Sequence, residues 1–121
     1  MIDHVAFYVS DLDRSRKFYE RALAPLGYGI AFEFEGMVAF GPGRPELAVR
    51  VGEDRTTTSH VAFAADDHAT VDAFHAAALA AGGHDNGEPG IREHYHPTYY
   101  AAFVRDPDGN NVEVVSWDPT G

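Results

Sequence analysis

The sequence predicts an α+β fold made of two tandem βαβββ modules, because the chain carries an internal repeat with the same order of elements in each copy. The letters HVAF occur at residues 4–7 and again, 56 positions later, at residues 60–63. The same shift places Phe18 on Phe74, so the similarity extends from the strand into the helix that follows it. An internal duplication explains this agreement better than composition does.

Each copy opens with a strand and continues into a helix. Residues 2–9 and 59–64 are short β-rich runs whose side chains alternate between two faces. Asp11 and Asp67 follow these runs and precede apolar residues at helical spacing, so both are predicted helix N-caps. Glycines that end the helices follow at Gly27, Gly82 and Gly83.

After each helix the pattern returns to strands separated by turns that contain proline and glycine. The predicted strands are 29–34, 37–40, 47–51, 99–104 and 111–116. We therefore expect one domain over residues 1–121, with βαβββ modules at 1–54 and 57–118. One module has too little sheet to bury its helix alone, so the two are expected to form a larger curved, cupped mixed sheet with the helices outside.

The composition limits the classes of function. Nine basic residues against nineteen acidic ones give a net charge of −10, which opposes binding to nucleic acid and to anionic membranes. No run approaches the roughly 18 consecutive apolar residues of a membrane span, and a cytoplasmic protein is expected. The chain has no cysteine, so any metal site must be built from histidine and carboxylate side chains.

Three segments carry a resemblance to a known superfamily: IDHVAFYVSDLDRSRKFYERALAPLGY, SHVAFAADDHATVDAFHAAALAAGG and YYAAFVRDPDGNNVEVV. They resemble the vicinal oxygen chelate superfamily, which includes glyoxalase I, the bleomycin and fosfomycin resistance proteins and the extradiol dioxygenases. The last segment is the most specific, because a DPDGN turn precedes a strand that carries a glutamate. The resemblance implies the fold but no single reaction, since this fold serves isomerases, transferases, dioxygenases and metal-free binding proteins.

The resemblance also implies metal ligands on the first and last strands of the modules. Carried over residue by residue, it nominates His4, His60 and Glu113 as ligands of one divalent ion, which would be Fe, Mn, Zn, Co or Ni. Two imidazoles and one carboxylate would leave positions on the ion open for two neighbouring oxygens of a small-molecule substrate.

A fourth ligand position is filled by a residue that cannot bind a metal. One alignment of the two modules matches Arg50 to Glu113. An alignment shifted by two residues matches Ala48 to Glu113 instead. Arg50 is a substrate-binding candidate, because its planar guanidinium matches a substrate carboxylate. The alternative is that Arg50 competes with the metal ion for Glu113, because an Arg50–Glu113 ion pair would occupy the anionic ligand.

The segment REHYHPTYY, residues 92–100, adds histidines and tyrosines just before a predicted hairpin. Extradiol dioxygenases use a histidine and a tyrosine near the metal, and this likeness makes His96 and Tyr100 catalytic candidates. His94 and Tyr99 are substrate-binding candidates by the same rough position. The alternative is a loop whose aromatic side chains merely cover the open end of the sheet.

The expected function is that of a metalloenzyme acting on an oxygen-rich small molecule, as a lyase or isomerase of the glyoxalase type or as a dioxygenase. The competing class is a metal-free binding protein of the drug-resistance type, which holds its ligand between aromatic side chains. Its candidate residues are Phe32, Phe34, Tyr95 and Trp117. A third class is an enzyme that uses acid-base chemistry alone. The resemblance implies a homodimer, in which modules pair either within one chain or across two.

Overall fold

A computed structural model describes residues 2–52 and 59–121. The first module contains β1 (Val5–Val9), α1 (Leu12–Ala22), a short 3-10 helix (Ala24–Leu26), β2 (Gly29–Phe34), β3 (Met37–Gly41) and β4 (Leu47–Val51). The second contains β5 (His60–Ala64), α2 (His68–Ala80), β6 (His84–Ile91), β7 (Tyr100–Arg105) and β8 (Asn111–Ser116). The α+β fold with two βαβββ modules is confirmed. The predicted boundary between the modules, between residues 54 and 57, lies outside the described residues.

Each helix begins where the sequence predicts, because an aspartate side chain caps it. Asp11 Oδ1 accepts a hydrogen bond from the Arg14 backbone at 3.0 Å, and Asp67 Oδ1 accepts one from Thr70 at 2.9 Å. Neither helix in the described ranges is long and apolar enough to cross a membrane.

The strand β6 has no sequence signal, because HDNGEPGI lacks alternating apolar residues and contains two glycines and a proline. Its pairing with β7 defines it instead, with Asp85 opposite Val104 and Gly87 opposite Phe103. Gly87 has φ +155°, and a Cβ atom there would lie 2.9 Å from the Phe103 ring. β6 is therefore an edge strand that depends on backbone hydrogen bonds to β7 and on a close approach of its backbone to Phe103, which requires glycine at position 87.

The strands form two mixed four-stranded sheets, in the order β1-β4-β3-β2 (the first sheet) and β5-β8-β7-β6 (the second sheet). In each sheet the first strand of the module runs parallel to the last, and the other neighbours are antiparallel. In the described part of the chain no ladder joins β1 to β5, so both are edge strands and the two sheets are separate. The continuous cupped sheet expected from the sequence is thus divided into two.

One hydrophobic core serves both modules. The helices α1 and α2 contact each other, and apolar side chains of both helices and both sheets form a single buried cluster. Gly83 is part of this close packing, since a Cβ atom there would lie 2.5 Å from Val104 and 2.8 Å from Phe18. Each sheet turns one face towards this core, and we call the opposite face the helix-free face.

The predicted DPDGNN turn between β7 and β8 also joins the two modules. Asp106 and Asp108 are buried, although both belong to a turn. The Tyr19 hydroxyl of α1 donates to Asp106 Oδ2 at 2.6 Å, and the Ser10 hydroxyl donates to Asp108 Oδ1 at 2.6 Å. Burial raises the pKa of Tyr19, and the neighbouring Asp106 raises it further. The turn therefore fixes the first module against the second through polar contacts.

Candidate active site

Glu113 stands at the centre of the helix-free face of the second sheet. It lies on β8, between Ala62 of β5 and Phe103 of β7. Its side chain is 3% exposed, and His60 Nε2 lies 2.9 Å from its Oε1 atom. The Tyr99 hydroxyl donates a hydrogen bond to the other carboxylate oxygen, Oε2. Both oxygens of a buried carboxylate are thus held, one by an imidazole and one by a phenol.

Tyr99 reaches Glu113 because the segment 92–99 closes on itself. The Arg92 backbone donates to the Tyr99 carbonyl at 2.8 Å, and the Tyr99 backbone donates to the His96 carbonyl at 3.1 Å. The Tyr99 ring contacts Trp117 edge to face, with 5.0 Å between centroids. Burial raises the pKa of the Tyr99 hydroxyl, and its hydrogen bond to Glu113 raises it further. Tyr99 therefore stays protonated at neutral pH and acts as a hydrogen-bond donor.

His4 directly precedes β1 of the first sheet and lies apart from His60 and Glu113. Its Nδ1 atom is 2.7 Å from Asp3 Oδ1, and it lines a cavity of about 410 Å³ on the helix-free face of that sheet. His60 lines a different cavity, between the edges of β1 and β5. Within residues 2–52 and 59–121 of one chain, no three histidine or carboxylate side chains lie close enough together to hold a metal ion. The structure therefore brings His60 to Glu113 but does not bring His4 to them.

The strand pairing decides which residue is equivalent to Glu113 in the first module. Ala6 pairs with Ala48, and its counterpart Ala62 pairs with Glu113. Ala48 is therefore the structural counterpart of Glu113. The alignment that set Arg50 on Glu113 is wrong, because relative to it β3 is offset from β7 by one residue and β4 is offset from β8 by two. Arg50 lies two residues beyond Ala48 on the same face of β4.

Arg50 makes no ion pair with Glu113 in the described part of the chain, since the two lie on different sheets. Its guanidinium carbon is 5.8 Å from the centroid of the Tyr8 ring, and it lines the same cavity as His4. The competing arrangement, in which arginine neutralises Glu113, is therefore not found within one chain.

The other candidates of the segment 92–100 are distributed over two sides of the second sheet. His96 contacts the Trp117 ring at 5.2 Å between centroids, next to Tyr99, and His94 contacts Tyr95 at 4.1 Å. Tyr100 points to the helix side, where its hydroxyl donates to Asp72 at 2.6 Å and this bond raises the pKa of Tyr100 to about 12. Adjacent strand residues face opposite ways, so Tyr99 and not Tyr100 meets Glu113.

The aromatic residues proposed for a metal-free cup are also separated. Phe32 lines the cavity on the first sheet, and Phe34 stacks on it with 6.4 Å between centroids. Tyr95 and Trp117 are exposed beside Tyr99 on the second sheet. Each helix-free face thus carries its own exposed aromatic group.

Residues 1–114 match the model of the Glyoxalase/Bleomycin resistance protein/Dioxygenase superfamily. The chain belongs to this superfamily. It is 31% identical to metallothiol transferase FosB of Shouchella clausii, covering 93% of this chain and 77% of that protein. It is 34% identical to a probable lactoylglutathione lyase of Vibrio parahaemolyticus, covering 93% of this chain and 87% of that protein.

A crystal structure of a glyoxalase/bleomycin resistance protein from Albidiferax ferrireducens has the same fold, with a TM-score of 0.81 and 32% identity over 94% of this chain and 97% of that one. Membership of the glyoxalase/bleomycin resistance/dioxygenase superfamily agrees with the resemblance noted from the sequence. The contact between Tyr99 and Glu113 was missed by that resemblance. The alternation of side chains from Ala101, on the helix-free face, would have indicated Tyr99 rather than Tyr100.

Proposed function

We propose that this protein is a small-molecule metalloenzyme of the glyoxalase and fosfomycin-resistance kind, whose divalent ion is held by His60 and Glu113 of one chain and His4 of a second copy. The observation that carries the proposal is Glu113, a carboxylate 3% exposed whose Oε1 atom lies 2.9 Å from the Nε2 atom of His60. Burying a carboxylate costs free energy unless a cation or several donors compensate it. A metal ion would supply that compensation.

The donor set fits a divalent ion. Imidazole nitrogen and carboxylate oxygen are ligands that Fe, Mn, Zn, Co and Ni all accept, and the chain offers no thiolate. When bound, such an ion supplies a Lewis acid for the oxygens of a substrate. Ala48 at the fourth position has no donor atom, which leaves room for those oxygens.

The third ligand has to come from another chain if the set is to be complete. His4 is the counterpart of His60 in the duplicated sequence, and it lies on the other helix-free face. Both β1 and β5 are edge strands, so the first sheet of one copy is able to lie beside the second sheet of another. We propose a homodimer in which this pairing forms two equivalent cups.

The chain's own side chains have separate roles in this proposal. Tyr99 donates to Glu113 and keeps that carboxylate in a fixed orientation. His96, beside Tyr99 and Trp117, is the candidate for proton transfer near neutral pH. His94 and Arg50 are assigned to substrate binding. Tyr100 has no part in the cup, because it faces α2.

The reaction class we favour is a lyase or a transferase. Two relatives are named as a metallothiol transferase and a probable lactoylglutathione lyase, and each match covers 93% of this chain. A dioxygenase is the alternative within the same superfamily.

Metal content tests the proposal directly. Protein purified without a tag or chelator is expected to hold about one divalent ion per chain after equilibration with Fe(II), Mn(II), Zn(II) or Ni(II). Glu113→Gln removes the anionic ligand and is expected to abolish binding, whereas Glu88→Gln changes an exposed carboxylate and is expected to leave it intact. Wild-type protein that takes up none of these ions would overturn the metalloenzyme and favour a metal-free binding protein.

Tyr99→Phe is expected to weaken metal binding by about 10-fold to 100-fold, because the carboxylate of Glu113 loses the donor that orients it. Tyr100→Phe removes a hydroxyl on the helix side and is expected to leave the metal affinity within about twofold of wild type. Competition with a metal-sensitive dye measures both affinities. The reverse order of effects would contradict the assignment of Tyr99 to the site.

A further inference from the structure

On the helix-free face of the first sheet, Arg50 lies in a row of apolar side chains. The strand pairings place Tyr8, Arg50 and Met37 side by side on this face, followed by Phe34. Arg50 therefore has aromatic and thioether neighbours rather than a carboxylate across the strands. Its recorded contact is the face of the Tyr8 ring.

Three other arginines in the described part of the chain have a carboxylate neighbour. Arg16 pairs with Glu33 at 2.9 Å, and Arg14 lies 3.7 Å from a carboxylate oxygen of the second module. Arg44, which lines the same cavity as Arg50, has its Nε atom 3.7 Å from Glu46. Within the described residues, Arg50 makes no ion pair with a carboxylate, so its charge is free for a ligand.

The row beside Arg50 is made of small side chains. Ala6, Ala48 and Ala39 pair across three strands, and Phe32 completes the row. Three methyl groups next to large side chains leave a trough, which accounts for the cavity of about 410 Å³. Asp3 is the acidic residue of its lining, and its carboxylate is engaged by His4 at 2.7 Å.

We infer that this cavity binds the oxyanion of a small organic acid, with the carboxylate, phosphonate or phosphate group at Arg50 and a compact apolar body on the alanine row. A guanidinium donates two parallel hydrogen bonds to such a group, and the alanine row beside it offers an apolar surface for the body of the ligand. The assignment of this ligand as the substrate rests on the proposed function. Anion binding by the cavity itself requires no metal.

The test uses metal-free, full-length protein, prepared by dialysis, and three probes with the same ring: phenylphosphonate, benzoate and neutral benzamide. Titration followed by NMR is expected to shift the amide signals of Ala6 and Ala48 with both anions, and benzamide is expected to bind at least about tenfold more weakly. The stronger of the two anions indicates whether a tetrahedral or a planar oxyanion fits. Equal binding of benzamide would overturn the proposal.

Variants separate Arg50 from general charge effects. Arg50→Gln is expected to weaken anion binding by about tenfold to a hundredfold, and Arg50→Lys by less, because it keeps the charge but loses the planar fork. Arg21→Gln removes the same charge from an exposed position on α1 and is expected to change nothing. Anion binding that survives in Arg50→Gln would refute the assignment.

The wild-type protein distinguishes this proposal from the metal site, because the anion titration uses metal-free protein and metal content is measured separately. If wild-type protein binds the anions but no metal, the metalloenzyme fails and the anion site stands. If wild-type protein binds metal but neither anion, the anion site fails and the metalloenzyme proposal stands.

Discussion

Refolding the His4→Ala and Glu113→Gln proteins together is expected to restore metal binding that neither protein shows alone. In the proposed dimer each site takes His4 from one chain and Glu113 from the other. A mixed dimer therefore has one site that lacks both ligands and one site that is intact. Random pairing makes half of the dimers mixed, so the mixture should bind roughly a quarter of the metal held by wild type.

The control for this experiment uses two variants in the same module. His60→Ala and Glu113→Gln both alter the second sheet, so every site in their mixed dimers keeps one defect. No recovery is expected from that pair, by elemental analysis or by dye competition. Recovery in neither mixture, alongside a metal-binding wild type, would show that the ligands assemble within one chain. Recovery in both mixtures would indicate a metal site that does not involve these residues.

Asp106→Ala is expected to lower the free energy of unfolding by about 3 kcal/mol or more, and the melting temperature by roughly 10 °C. Asp106 Oδ1 accepts hydrogen bonds from the backbones of Asp108 and Asn110, at 2.9 and 2.8 Å. Its Oδ2 accepts from Tyr19 at 2.6 Å and from the Asn110 side chain at 2.9 Å. Removing the carboxylate leaves these buried donors without partners, which costs more than the bonds themselves contribute.

Two further variants show whether the loss of stability in Asp106→Ala comes from the contacts between the modules. Tyr19→Phe removes one hydrogen bond between the modules and is expected to lower the free energy of unfolding by about 1.5 kcal/mol, because Asp106 keeps its other partners and Ser10 keeps its bond to Asp108. Asp118→Ala removes a similar turn contact to Thr120 at the surface and is expected to alter stability little. Thermal unfolding followed by circular dichroism measures all three. Equal losses for Asp106→Ala and Asp118→Ala would mean that the junction contributes nothing beyond a local turn.

The order of helices and strands in the modules was predictable because it depends on local patterns. The repeat of HVAF and the capped helices predict two βαβββ units, and the DPDGN turn places Glu113 on the final strand. The strand β6 was not predictable, since backbone pairing with β7 defines it and its own side chains carry no alternation.

Register was the main quantity that the sequence left open. The two alignments match either Ala48 or Arg50 of β4 to Glu113. These two residues lie on the same face of β4, so the alternation of side chains does not decide between them. The pairing of Ala6 with Ala48 decides between them and moves Arg50 away from the ligand position. The same geometry directs Tyr99 to Glu113 and Tyr100 to Asp72.

The sequence by itself determined the α+β fold, the duplicated modules and the superfamily, because these follow from periodicity, capping and turn motifs that act over a few residues. Only the tertiary structure decided that His60 meets Glu113 while His4 lies on another face. That outcome depends on how two sheets and two helices share one core, and on the buried contacts of Asp106 and Asp108. Long-range packing of this kind has no local signal, which is why it had to be observed.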